Sequence, residues 1–151
     1  MRAYVLLGLQ GFQVVVLLLH DWIPLPPLND VRGTRKGVSM QKMILGTALS
    51  SLFPLGGLLL TLSSMASGWP KWLPIYLLAT YGLLFAGELQ AWWIPYLLRP
   101  EPKRAAQYEE MYGKTHAFLP VRNGIRINSL HFALHAATLA TLITLMFDYV
   151  V

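Results

Sequence analysis

Four apolar stretches constrain this chain more than anything else in it. Residues 3–20, 43–65, 72–98 and 127–147 each approach the roughly 20 apolar residues that an α-helix needs to cross a hydrocarbon layer about 30 Å thick. Backbone in lipid must satisfy its own hydrogen bonds, so stretches of this kind can span only as helices. Of the 151 residues, too few remain between them to build a separate soluble domain. The chain therefore reads as one integral membrane domain over 1–151, an all-α four-transmembrane-helix bundle. Composition agrees, because 13% of the residues are charged, against about 25% in a soluble domain. Ahead of the first stretch stands one basic residue, Arg2, and the stretch runs into "HDWIPLPPLND" with no small-x-small cleavage pattern. It reads as a retained helix rather than a signal peptide.

Loop charge orients the bundle. Ten of the twelve lysines and arginines fall in loops 21–42 and 99–126, leaving Arg2 and Lys71 on the other side. Basic loops are retained in the cytoplasm, so these two loops are placed there and both termini outside, in a prokaryotic-type cytoplasmic membrane. The net charge of +5 then belongs beside anionic lipid headgroups and gives no reason to expect a nucleic-acid partner. With no cysteine in the chain, disulfides, thiolate nucleophiles, iron–sulfur ligation and thiol redox relays are excluded.

The turn "ASGWPK" makes the second and third spans antiparallel neighbours. Spanning Trp72 to Leu98, the third helix would measure about 40 Å, longer than the hydrocarbon layer, and Pro95 predicts a kink near its inner end. "EPKRAAQYEEMYGK" predicts a short interfacial helix in the loop between spans three and four, with Tyr108 and Tyr112 at headgroup depth. Pro24, Pro26 and Pro27 predict that the first loop is extended rather than helical. Gly46 and Ser50, Gly82 and Ala86, and Ala136, Ala140 and Thr144 recur at four-residue spacing, which predicts close helix–helix contacts there.

Polar residues inside the spans point to function. Glu88 lies about 16 Å in from Arg99, where a carboxylate costs about 2.5 to 3.5 kcal/mol unless it faces the bundle interior. Trp92 and Tyr96 continue its stripe. On the last span Asn128, His131, His135 and Thr138 share one face, and on the first span Gln13 and His20 share another, with Asp21 at the boundary. All three stripes converge on the cytoplasmic half, and the opposite half shows no matching set.

Glu88, His131 and His135 are accordingly the candidate catalytic residues, with Asn128, Trp92, Tyr96, His20, Gln13, Asp21 and Arg126 as ligand-binding neighbours. The reading favoured is a polar pocket that binds or transforms a lipophilic small molecule, whether or not the chain is an enzyme. Three alternatives stay open. One is a divalent metal held by His131, His135 and Glu88. Another is haem b between His20 and His131. The third is a non-catalytic subunit of a homo-oligomer or larger membrane complex, whose polar residues only fix helix register.

Overall fold

The computed structural model describes residues 2–149. It is an all-helical bundle of four long helices, capped at one end by short ones. The long helices are α1 (Arg2–Leu19), α3 (Met40–Ser67), α4 (Leu73–Glu88) and α7 (Ser129–Tyr149). Between them lie α2 (Val31–Gly37), a π-helical segment over Leu89–Trp93, α5 (Ile94–Leu97) and α6 (Pro102–Tyr112). Helix α1 packs on α3 and α7, and α4 packs on the same two, so the four long helices form a ring. The α2 and α6 helices pack on each other at one end, called here the α6 end.

Helix starts follow from capping chemistry. The Asp30 carboxylate accepts from the Arg32 and Gly33 amides to begin α2, and Ser39 accepts from Lys42 to begin α3. Asn128 does the same for α7, accepting from the His131 amide at 2.9 Å. Proline opens α6 at Pro102, where a missing N–H costs nothing. Gly68, at φ 86°, ends α3 in a conformation that few other residues adopt.

Two helices, Met40–Ser67 and Ser129–Phe147, are long and apolar enough to cross a membrane, and Ala3–Leu19 is apolar but shorter. The third expected span is interrupted. Its α-helical course stops at Glu88, and the π segment begins six residues before the proline. The irregularity predicted at Pro95 thus lies on its N-terminal side, because the ring and the missing N–H of a proline disturb the preceding turn.

Other expectations need correction. The first loop is not extended throughout, since Asp30 nucleates α2 directly after the proline stretch. Most of the proposed small-residue contacts are absent. Gly46, Ala86 and Ala136 are exposed, and a Cβ added at Gly46 or Gly82 would meet nothing within 4 Å. The close approach of α3 to α4 is instead at Gly56 and Gly57, where a Cβ would stand 2.9 Å from the Tyr76 hydroxyl and 3.0 Å from a Leu77 methyl. Nor is the terminus end purely apolar. Gln10, Thr61 and Tyr81 are fully buried, Tyr81 among Leu6, Leu73, Leu77 and Leu145. Helix α6 forms where it was expected, but Tyr112 is buried and Tyr108 half-buried against Trp92, so its aromatic face turns into the protein rather than toward headgroups.

At the α6 end, a Cβ on Gly33 would stand 2.7 Å from the Met111 carbonyl oxygen and 2.9 Å from that of Glu110. Helix α2 can therefore lie against α6 only with glycine here. We expect Gly33→Val to lower stability by about 1–3 kcal/mol, read as a lower thermal unfolding midpoint in mild detergent. An unchanged midpoint would show that α2 does not hold this contact.

Candidate functional site

The site grows from the first turn of α7. The Asn128 side-chain amide donates to the Leu28 carbonyl at 3.2 Å, which fixes its orientation and points Oδ1 at α7. Oδ1 then accepts twice, from the His131 amide at 2.9 Å and from His131 Nδ1 at 2.8 Å. An oxygen that can only accept requires a hydrogen on that ring nitrogen. One turn along, the half-buried Trp93 indole donates to His135 Nδ1 at 3.2 Å. Indole only donates, so His135 Nδ1 carries no hydrogen and its hydrogen is on Nε2. The two imidazoles therefore show opposite faces: a hydrogen on Nδ1 of His131 and on Nε2 of His135.

Aromatic rings hold the imidazoles from the α6 side. Trp92 lies against His131 with centroids 4.3 Å apart and against His135 at 6.0 Å, while Tyr112 meets His131 edge-on at 5.0 Å. From the turn after α1, His20 meets His131 edge-on at 5.4 Å. His20 Nδ1 faces the Val16 carbonyl at 2.9 Å, and Nε2 lies 3.3 Å from the Asp21 carboxylate. Tyr112 is deeply buried near Asp21 and Tyr108. Its hydroxyl is pushed above the ordinary tyrosine range, by burial first and by those two neighbours second. Burial raises Tyr108 as well, partly opposed by the Arg104 guanidinium.

Pro95 explains how α6 is attached. Pro95 offers no N–H to the turn before it, so one carbonyl there, Gln90 by π-helical spacing or Ala91 by α-helical spacing, loses its helical donor. Arg104 donates to both of these, at 2.8 and 3.0 Å, and the Tyr108 hydroxyl donates to Ala91 at 3.1 Å. The turn of the π segment is thus closed by side chains of α6. The far end of α5 is covered in the same manner, with Asn123 donating to the Pro95 and Tyr96 carbonyls.

These elements border a cavity of about 370 Å³ that is open to the surface. Its lining mixes His20, Asp21, Glu88, Trp92, His131 and His135 with Leu17, Leu83, Leu84 and Leu134. Gly46, Ser50 and Gly87 complete the lining between α3 and α4. Glu88 is buried. Its Oε1 lies 2.8 Å from the Thr138 hydroxyl, whose single hydrogen is also within reach of Gln13 Oε1 at 3.0 Å and the Leu134 carbonyl at 3.1 Å. The other carboxyl oxygen, Oε2, is buried without a hydrogen-bonding partner.

Six of the sequence-identified residues therefore line one cavity, and Asn128 orients one of them. Gln13 stands one step behind the wall, bonded to Thr138 and Thr141. Tyr96 is away from the cavity, donating to the Pro120 carbonyl within the cluster of Met111, Tyr112 and Ile125. Arg126 is also away from it, 3.9 Å from the Glu109 carboxylate. Missed by the sequence reading were Trp93, Arg104, Tyr112 and the turn at Asn123–Gly124. Only the last had a local signal, since Asn-Gly favours the left-handed backbone seen there, φ 53° and 74°. His116 likewise ties the loop to α7, its Nδ1 2.7 Å from the Ser129 hydroxyl.

The donor set does not suit the metal or haem alternatives. No group of three His, Asp or Glu side chains among the described residues is disposed to hold an ion. Trp93 holds the hydrogen of His135 on Nε2, the nitrogen that a shared ion would need bare. For haem, His20 and His131 touch edge-on with no slot for a macrocycle between them, and both nitrogens of His20 face oxygen acceptors. Comparison with known proteins finds no matching family model, no matching curated protein and no matching solved structure.

The Arg104 contacts give a direct test of how the site is assembled. Arg104→Ala should destabilise the protein by about 1.5–3 kcal/mol, by leaving two carbonyls beside the π segment without their charged donor. Arg104→Lys should recover only part of this, since an ammonium lacks the planar fork that reaches both oxygens. Equal unfolding midpoints for wild type and Arg104→Ala would refute the strap.

Proposed function

We propose that this chain is a four-span integral membrane protein whose cavity binds or transforms a lipophilic small molecule taken from the bilayer. In this reading loops 21–42 and 99–126 are cytoplasmic and both termini are outside. The single observation that carries it is a cavity with two chemistries. Imidazoles and carboxyl groups share its lining with leucines, as a molecule with a polar head and an apolar body requires.

The outer surface supports the membrane reading. Only 22% of the most apolar window of α3 and 39% of that of α7 is buried inside the bundle, whereas a core helix of a soluble protein would be mostly buried. Leu45, Leu49, Leu52, Phe53, Leu59 and Leu62 stand exposed along α3. Such a belt is far larger than the isolated apolar patches of soluble monomers, and lipid is the solvent that suits it. Helix α4, the π segment and α5 together run from Leu73 to Leu97, at about 1.5 Å per residue long enough to cross.

Entry from the bilayer is supported by the residues between α3 and α4. Leu83, Gly46 and Gly87 line the cavity and are themselves exposed on the bundle surface, so the cavity reaches lipid there. A side chain at Gly87 would meet nothing within 4 Å, so filling the opening does not require the helices to move.

Two measurements test this reading. A reporter that is active only in the cytoplasm should be silent when fused after Val151, and strong activity there would overturn the orientation. Mass spectrometry of the protein purified in mild detergent should find a co-purifying lipophile, reduced severalfold or more in Gly87→Leu at unchanged unfolding temperature. If a normally folded Gly87→Leu retains the full amount, the opening is not the route of entry. If wild-type protein carries none and binds none when supplied, the pocket reading fails.

A further inference from the structure

We infer that the polar head of the ligand is a neutral hydroxyl group, which gives its hydrogen to His131 Nε2 and takes one from His135 Nε2. This rests on the pocket reading above and adds the chemical class of what the pocket takes. Asn128 holds the hydrogen of His131 on Nδ1, so the neutral ring presents a bare lone pair at Nε2. Trp93 occupies the lone pair of His135 Nδ1, so that ring presents an N–H at Nε2. Each orientation is locked from behind by a group whose own role is fixed. Asn128 by its bond to Leu28 leaves only its oxygen for His131, and indole nitrogen has no acceptor capacity.

Both rings line the cavity with centroids 6.2 Å apart, and the nitrogens left free are one acceptor and one donor. At this spacing a single oxygen can sit about 2.9 Å from a nitrogen of each ring where both free nitrogens turn toward it. A hydroxyl is the small group that both donates and accepts through one oxygen. A carbonyl would satisfy His135 and leave His131 unpaired, at a cost in affinity. An anionic head would face the carboxyl groups of Glu88 and Asp21 in the same lining, with the basic residues of loops 21–42 and 99–126 absent from it. A hydrocarbon would leave both imidazoles unpaired. Leu17, Leu84 and Leu134 then hold the apolar body, and Trp92 covers both rings.

Farnesol, farnesal, farnesyl phosphate and farnesene share one apolar body and differ at the head. Titrated into the whole protein in lipid nanodiscs and followed by tryptophan fluorescence, farnesol should bind on the order of tenfold or more tightly than each of the other three. In His131→Phe the advantage over farnesal should vanish. Because that variant can fail to fold, nitrogen-15 spectra of histidine-labelled wild type give a second reading. His131 Nε2 should resonate as a bare nitrogen in the free protein and shift on addition of farnesol, with His135 Nε2 protonated throughout. Equal binding of farnesol and farnesal, tighter binding of farnesyl phosphate, or a protonated His131 Nε2 in the free protein would each overturn the hydroxyl inference and leave the pocket standing. Binding of none of the four would overturn both.

Discussion

One missing hydrogen organises the α6 end of this molecule. Pro95 cannot donate to the helix that precedes it, and a carbonyl left without its helical donor must find another. The chain meets this need twice over. It widens into a π segment at Leu89–Trp93, and it brings Arg104 and Tyr108 from α6 onto the Gln90 and Ala91 carbonyls. Those same bonds dock α6, which lets Tyr108 and Tyr112 pack on Trp92 and so cover His131. The neighbouring residue Trp93 reaches His135 from within the π segment. Remove the proline and the reason for every one of these contacts weakens. π-helical insertions are common at functional sites because they aim side chains that a regular helix would send elsewhere.

Asn128 is a second fixed point, and it couples two parts of the chain that are distant in sequence. Its amide group joins the start of α7 to the Leu28 carbonyl of the first loop, while its oxygen both caps the helix and sets the tautomer of His131. The first loop is in turn gathered by Asn29, whose side chain donates to the His20 and Ile23 carbonyls. His20 and Asp21 are thereby held at the cavity edge by the same short segment that orients His131. A loop that holds side chains at the edge of a cavity needs this kind of internal bonding, since it has no ladder of backbone hydrogen bonds to rely on.

Much of this was legible in the sequence, for identifiable reasons. Apolar runs and the three-to-four residue spacing of Glu88, Trp92, Asn128, His131 and His135 report helix faces directly, and those faces do converge on one cavity. Tyr96 shares the stripe but not the cavity, because the π segment shifts the register of everything after Glu88 and a strict helical count no longer applies. Arg104 and Tyr112 were illegible because their roles depend on where α6 docks, which no local pattern encodes. Small residues misled for a related reason. A glycine shows where a backbone can approach another, and only the fold decides whether it does, as at Gly57, or whether it leaves space, as at Gly46.

That contrast within α3 connects the fold to its use. Toward the terminus end, Gly56 and Gly57 bring α3 onto Tyr76 and Leu77, and Tyr76 donates its hydroxyl to the Phe53 carbonyl. Toward the α6 end, Gly46 and Ser50 line the cavity opposite Leu83 and Gly87. Pro54 lies between the two regions, inside the helix, and the Ser50 and Ser51 hydroxyls bond back to the Thr47 carbonyl just before it. Proline and back-bonding serine are both causes of helix bending. A helix that is closed against its neighbour beyond a proline and open before it can keep a stable bundle at one end and an accessible cavity at the other. Glu88 of α4 meets Thr138 of α7, which with Thr141 meets Gln13 of α1, so the cavity wall at Glu88 is braced from α7 and α1, away from the α3–α4 opening.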